Sequence, residues 1–247
     1  MSRKKGKIHI GTSGWHYKHW KEIFYPKGMK EPQFLEYYLK FFSTVEINNS
    51  FYRLPPGETF QHWKEAVPEK FLFAVKGSRF ITHMKKLSDP VASLDGFLTN
   101  VRHLGDRLGV ILFQLPPGWK LNAERLNAFA AALPKDFRYA FEFRNQTWYD
   151  ESVYEILRSY NLAFCIYEIE HHLSPVITTA NFVYVRLHGP EGKYAGNYSD
   201  SVLRNWAHKC IYWSEQGKDV FLYFDNDQLA YAAFNAIRIK ELLKEKL

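Results

Sequence analysis

The chain has 247 residues, of which 46% are hydrophobic and 17% aromatic, and a formal charge of +7 at pH 7. That length suits one barrel-sized domain, and no Pro/Gly/Ser-rich linker divides it, so the sequence predicts a single domain over residues 1–247. Its apolar runs are too short to cross a bilayer. The opening "MSRKKGKIHI" leads into a strand-like segment rather than the apolar core of a signal peptide. Cys165 and Cys210 stand far apart and suggest neither a disulfide framework nor a zinc site, which points to the cytoplasm. Arg3, Lys4, Lys5 and Lys7 supply four of the seven charges, which leaves +3 for the body. The basic tail of residues 1–6 adds at most non-specific affinity for phosphates.

In chain order, a strand over Ile8–Ser13 opens the pattern. A helical segment at Pro32–Phe42 leads to a second strand, Thr44–Phe51, and another at Glu58–Ala66 leads to a third, Phe71–Ser78. Helix Val91–Leu104 and strand Gly109–Leu115 follow, then helix Ala123–Leu133 and strand Tyr139–Arg144, then helix Ser152–Tyr160 and strand Leu162–Glu168. Only "IEHHLSPVITTAN", in which Pro175 limits any helix, separates these from the seventh strand, Phe182–His188. Helix Val202–Ser214, strand Val220–Asp227 and helix Leu229–Lys244 close the series. Eight strands alternating with helices over this length predict an α/β fold, a (β/α)8 TIM-type barrel with an irregular, helix-poor sixth repeat. An open doubly wound sheet is the alternative. The strand faces favour the barrel, because in most strands one parity is apolar and the other turns polar toward the carboxyl end.

The polar parity collects Glu46, Asn48, Lys76, Gln114, Glu142, Arg144, Arg186, His188 and Asp225. Charges buried inside a barrel must pair with one another or with a ligand, so the choice is between an internal salt-bridge network and a site at the carboxyl-terminal mouth. Lys76, Arg144 and Arg186, with His188, point to an anionic ligand, since the guanidinium fork matches phosphate or carboxylate. The glycine-containing "GPEGKYAGNYS" after the seventh strand lies where barrels often hold a phosphate, but it matches no phosphate fingerprint and reads equally as a connector. Trp15, Tyr17, Tyr52, Trp148, Tyr149, Tyr194 and Tyr198 follow strand ends, where they either stack on a base or sugar or pack the loops. His9, His83, His188, Glu46, Glu142, Asp225 and Asp227 could supply ligands, but no His-x-His or His-Glu-x-x-His spacing is present and "DND" at Asp225–Asp227 lacks the rest of a calcium loop, so a divalent metal is the weaker reading and no cofactor is expected.

Seven motifs, "GTSGW" (Gly11–Trp15), "EINNSFYRLP" (Glu46–Pro55), "FAVKGSRFITH" (Phe73–His83), "LFQLPP" (Leu112–Pro117), "EFRNQTW" (Glu142–Trp148), "VRLHG" (Val185–Gly189) and "YFDND" (Tyr223–Asp227), recur in the order in which they stand in the YecE-like family, a domain of unknown function. The chain resembles that family over nearly its whole length. The resemblance implies a TIM-type barrel and no settled activity, and the family's motif residues coincide with the polar ring. Two positions depart from the family pattern. Asn145 stands where the family usually has histidine, so no titrating imidazole follows Arg144, and Asp225 stands where it usually has asparagine.

The expected function is binding, with hydrolysis, of a phosphate-containing substrate, a nucleotide or a nucleic-acid phosphodiester. Glu46, Glu142 and His188 would be catalytic. Trp15, Asn48, Tyr52, Lys76, Gln114, Arg144, Trp148, Arg186 and Asp225 would contact the substrate. A non-catalytic nucleic-acid-binding protein is the competing class, and its binding would weaken steeply with salt. A sugar-acting isomerase or glycosidase ranks last. Glycosidase barrels commonly place their carboxylates after strands four and seven, where this chain has Gln114 and His188. A membrane partner is not expected.

Overall fold

The computed structural model describes residues 4–245, so Arg3 and the rest of residues 1–3 of the basic tail lie outside the described residues. The strands are β1 (Ile8–Thr12), β2 (Thr44–Ile47), β3 (Leu72–Lys76), β4 (Leu108–Leu115), β5 (Tyr139–Phe143), β6 (Ala163–Ile169), β7 (His172–Leu173), β8 (Phe182–Leu187) and β9 (Asp219–Phe224). The helices are α1 (Phe34–Tyr38), α2 (Asn49–Tyr52), α3 (Gly57–Glu65), α4 (Pro90–Val101), α5 (Ala123–Ala132), α6 (Glu151–Ser159), α7 (Asp200–Glu215) and α8 (Tyr231–Lys244). The sheet order is β1-β9-β8-β6-β5-β4-β3-β2, with β7 paired to β6 alone. This is the α/β plan of a (β/α)8 TIM-type barrel. Between β6 and β8 no helix forms. The chain reverses through Glu170 and His171, both at positive φ, into the short antiparallel strand β7.

The chain packs as two compact units. The first contains the chain up to Glu46, Ile166–Val176 and the chain from Asn181 onward. In it β1, β9 and β8 run parallel in continuous register, from Ile8↔Val220 to Thr12↔Phe224 and from Phe182↔Asp219 to Leu187↔Phe224. Gly11 has no alternative here, because a Cβ would sit 2.4 Å from the carbonyl oxygen of Thr44. Helix α7 is capped by Ser199, whose hydroxyl accepts from the Val202 N–H, and it buries Leu203, Trp206, Cys210 and Trp213. Helix α8 buries Ala232, Ala233 and Ala236, side chains small enough for close approach to the strands. A cluster of rings packs the connection between β1 and β2, with Tyr25 and Phe34 stacked at 3.9 Å.

The second unit, Ile47–Cys165 with Ile177–Ala180, carries β3, β4, β5 and the start of β6, all parallel. Phe113, Phe129, Phe141, Phe143 and Phe164 form its core. Helix α6 shows how sequence dictates the wrapping: Asp150 caps it by accepting from the Ser152 N–H, and Val153, Tyr154 and Leu157 bury one face.

Three segments differ from the sequence expectation. The strand expected over Thr44–Phe51 ends at Ile47, because two asparagines favour a turn and the Ser50 hydroxyl donates to the carbonyl of Lys76 at 2.6 Å. The strand expected to reach Asp227 ends at Phe224, and the helix expected from Leu229 starts at Tyr231, since Leu229 and Ala230 are left-handed. "FITHM" (Phe80–Met84), to which the sequence pattern assigns no element, forms one π-helical turn.

Candidate functional site

In the first unit three strand ends bring their polar side chains onto one guanidinium. Arg186 of β8 forks onto Glu46 of β2, with Nε 3.1 and 3.0 Å from the two carboxylate oxygens and Nη2 2.7 Å from Oε1. Nη2 also donates to Asp225 Oδ2, just beyond β9, at 2.9 Å. Glu46 accepts further from the Ser13 hydroxyl at 2.7 Å and from the Tyr184 hydroxyl at 2.6 Å. Glu46 is fully buried and Arg186 is 1% exposed, so desolvation is offset by a bidentate ion pair whose lone pairs are hydrogen-bonded.

His188 extends the network. Its Nδ1 lies 2.9 Å from Asp225 Oδ2, and its Nε2 lies 3.3 Å from Arg186 Nη1. A neutral imidazole with its proton on Nδ1 satisfies both contacts, donating to the carboxylate and accepting from the guanidinium; this tautomer is assigned from the partners. Tyr17 stands beside the same carboxylates. Its pKa is raised well above the ordinary tyrosine value by burial, then by Asp225, Asp227 and Glu46, against the opposing Arg186. Burial, and then Asp225, raises the pKa of Asp227 as well, while His19 lies 3.2 Å from its carboxylate and Trp20 donates to its carbonyl at 2.8 Å.

The glycine-containing connection after β8 is an ordered loop. The Gly189 N–H donates to the Tyr198 hydroxyl at 3.0 Å, and Gly196 accepts from Asn226 Nδ2 at 2.9 Å and donates to Gln228 Oε1 at 3.1 Å. Asn226 Nδ2 also donates to Asn235 Oδ1, and Asn235 Nδ2 to Asn197 Oδ1. An amide relay therefore ties the loop to β9 and α8.

The second unit carries its own cluster at the carboxyl ends of β3, β4 and β5. Gln114 and Glu142 are registered neighbours on β4 and β5. Arg144 Nε donates to Glu142, and Cys165 Sγ lies 3.8 Å from Glu142 Oε2. Lys76, nearly buried at the end of β3, holds its Nζ 4.4 Å from the centroid of the Phe51 ring. His83 packs against the same ring at 5.0 Å, and its pKa is lowered by burial and by Lys76 and Arg79. Asn48 precedes α2 with Oδ1 buried and without a hydrogen-bond partner among the described residues.

The sequence-derived residues thus fall in two groups. Glu46, Arg186, His188 and Asp225 meet in the first unit; Gln114, Glu142 and Arg144 are neighbours in the second, and Lys76 sits over Phe51. The expected aromatic contacts separate by exposure. Tyr52 is 75% exposed and Trp15 half-buried, but Trp148 has no exposed surface: it stacks on Phe143 and donates to the Trp119 carbonyl at 2.7 Å. Sequence reasoning did not assign Ser13, Tyr184 or His19 to the site, and it gave His83 only as a candidate metal ligand. Strand parity pointed to Ser13 and Tyr184, and His83 ends the motif "FAVKGSRFITH", while nothing local marks His19. Among the described residues no three of His, Cys, Asp and Glu are placed to hold a metal ion.

With this geometry in place, comparison with known proteins decides the family. The sequence profile described as "Protein of unknown function DUF72" matches residues 9–247. The chain belongs to the DUF72 family. It is 29% identical to the UPF0759 protein YunF of Bacillus subtilis, over 96% of this chain and 94% of that protein. The crystal structure of a DUF72 family protein from Thermotoga maritima superposes with a TM-score of 0.87 at 30% identity, covering 96% of this chain and 99% of that one. A second DUF72 structure, from Enterococcus faecalis, gives a TM-score of 0.80 at 20% identity over 96% and 95%, and supports the fold. Among the described residues no helix is long and apolar enough to cross a membrane.

Proposed function

We propose that this DUF72 protein binds a phosphate-containing substrate, a nucleotide or a nucleic-acid phosphodiester, at the carboxyl ends of its strands and hydrolyses it by acid–base catalysis. The observation that carries this reading is the contact between His188 Nδ1 and Asp225, which fixes the ring and leaves Nε2 as the nitrogen that accepts a proton. In the proposed step, Nε2 takes a proton from the attacking water as its oxygen bonds to phosphorus and the ester P–O bond breaks. Asp225 stabilises the imidazolium that results, and the leaving oxygen then recovers the proton. At 3.3 Å the Arg186 contact to Nε2 is long for a hydrogen bond.

The fork from Arg186 to Glu46 and Asp225 narrows the role expected for that arginine. In this reading it is the fixed counter-charge of two buried carboxylates, and a phosphate group bound at the second unit would be met there by Lys76 and Arg144. Glu46 accepts hydrogen bonds from Ser13, Tyr184 and Arg186 and anchors the guanidinium.

The test is hydrolysis of 4-nitrophenyl phosphate mono- and diesters by the parent and by the His188→Asn and Asp225→Asn variants. Loss of general acid–base catalysis should lower kcat about 10²–10⁴-fold while the fold is retained. Equal rates in parent and variants would contradict the reading.

A further inference from the structure

His188 is the proposed working group, yet it has no solvent-accessible surface. A substrate reaches that imidazole only if something over it moves. Two rings of the same unit lie against it: Tyr167, at 6.3 Å from a strand, and Tyr194, at 5.7 Å from the loop after β8. Tyr167 is buried in β6, whereas Tyr194 is 37% exposed, its ring edge-on to the imidazole.

We propose that Tyr194 is the gate of His188 and thereby a specificity-determining residue, admitting to the imidazole only groups that displace its ring. This rests on His188 being the reacting group. The backbone is built for such a movement. Tyr194 itself is left-handed at φ +65°, which is unfavourable for a residue with a bulky side chain and characteristic of segments held by their surroundings. Glycines at φ +115° (Gly189) and +87° (Gly196) flank the moving part. At Gly189 a Cβ would lie 2.1 Å from the Ala195 carbonyl oxygen, so the loop closes only over a glycine.

The anchors and the tip are also held differently. Gly189, Gly196 and Asn197 are tied through Tyr198, Asn226, Gln228 and Asn235, which keeps the loop ends in place. The tip is fastened to the strand by the Tyr194 N–H, which donates to the His188 carbonyl at 2.7 Å, and across itself by a bridge from Gly192 to Ala195. The Tyr194 carbonyl also accepts from the Gln228 N–H at 3.5 Å, so opening releases that contact with the first while the amide relay holds both ends of the loop and β8 and β9 stay folded.

Two measurements test the gate without a known substrate. The first is diethyl pyrocarbonate labelling at pH 7 read peptide by peptide, with the exposed His208 of α7 as reference. The parent and Tyr194→Phe, which keeps the ring, should label His188 slowly. Tyr194→Ala should raise the His188 rate about tenfold or more toward that of His208, while the thiol of buried Cys210 stays unreactive. An unchanged His188 rate in Tyr194→Ala, or a parent that labels His188 as fast as His208, would overturn the proposal. The second is amide hydrogen exchange on the parent alone, independent of how the variants fold. The Tyr194 amide should exchange about a hundredfold faster than the amides of β8, through local opening. Exchange of Tyr194 only at the rate of β8 would refute the gate. Both read access rather than turnover. An inactive parent with an opening gate therefore counts against the hydrolase reading, and an active parent with a rigid loop counts against the gate.

Discussion

Each unit pairs a buried glutamate with an arginine, but across very different lengths of chain. Glu142 and Arg144 are two residues apart on one strand end, so their side chains share a face as soon as β5 forms. Glu46 and Arg186 are 140 residues apart and meet only when β2 and β8 are both in place, with Ser13, Tyr184 and Asp225 completing the shell. The local pair survives any state that preserves the strand, whereas the distant pair exists only in the native fold and is preorganised by it. A pre-paired, buried centre suits proton transfer.

The largest effect that would sharpen this contrast is expected from Arg186→Ala. It leaves two buried carboxylates without their counter-charge and should lower stability by about 3–5 kcal/mol in urea unfolding. Arg144→Ala removes a charge-assisted hydrogen bond of a side chain that keeps some contact with water, and should cost about 1.5–3 kcal/mol. If Arg144→Ala proved the more damaging of the two, the contrast between a fold-dependent and a local pair would break.

The smallest effect concerns a carboxyl whose neighbour is an indole rather than a guanidinium. Burial raises the pKa of Glu168, against a hydrogen bond from Trp206. The folded protein therefore keeps this proton at pH values where the unfolded chain has lost it. Stability from this group is present below the unfolded glutamate value and is lost as pH rises through the raised folded value. Glu168→Gln should accordingly match the parent in Tm near pH 4 and exceed it near pH 8. A gain of equal size at both pH values would assign the effect to packing instead of charge.

Much of this was legible in the sequence, and the physical reason is parity. Alternation along each strand separated Glu46, Arg186 and His188 from their apolar neighbours, and the regular spacing of strands and helices gave the barrel with its helix-free sixth connection. The sequence did not disclose which charges pair, because Glu46 has no local preference for Arg186 over Arg144. It also extended the strands through Asn48–Phe51 and Asp225–Asp227, where side-chain hydrogen bonds end the ladder. Trp148 read as a mouth residue because it follows a strand end, but three-dimensional packing folds it back onto Phe143. Tyr194 was legible as an aromatic after a strand end, but its contact with His188, like the contact of His19 with Asp227, is made by a loop, and loop geometry has no periodic signature.

The central claim is that this protein takes a phosphate-containing substrate through Lys76 and Arg144. The most direct measurement is a thermal-shift comparison of the parent with a Lys76→Met, Arg144→Ala variant against nucleotides, sugar phosphates and short oligonucleotides. At a hundredfold excess over Kd a specific ligand adds about 2.7 kcal/mol to the folded state. The account predicts that a phosphorylated ligand raises the Tm of the parent and leaves that of the variant unchanged. Equal shifts in both proteins, or no shift of the parent by any phosphorylated ligand, would contradict it.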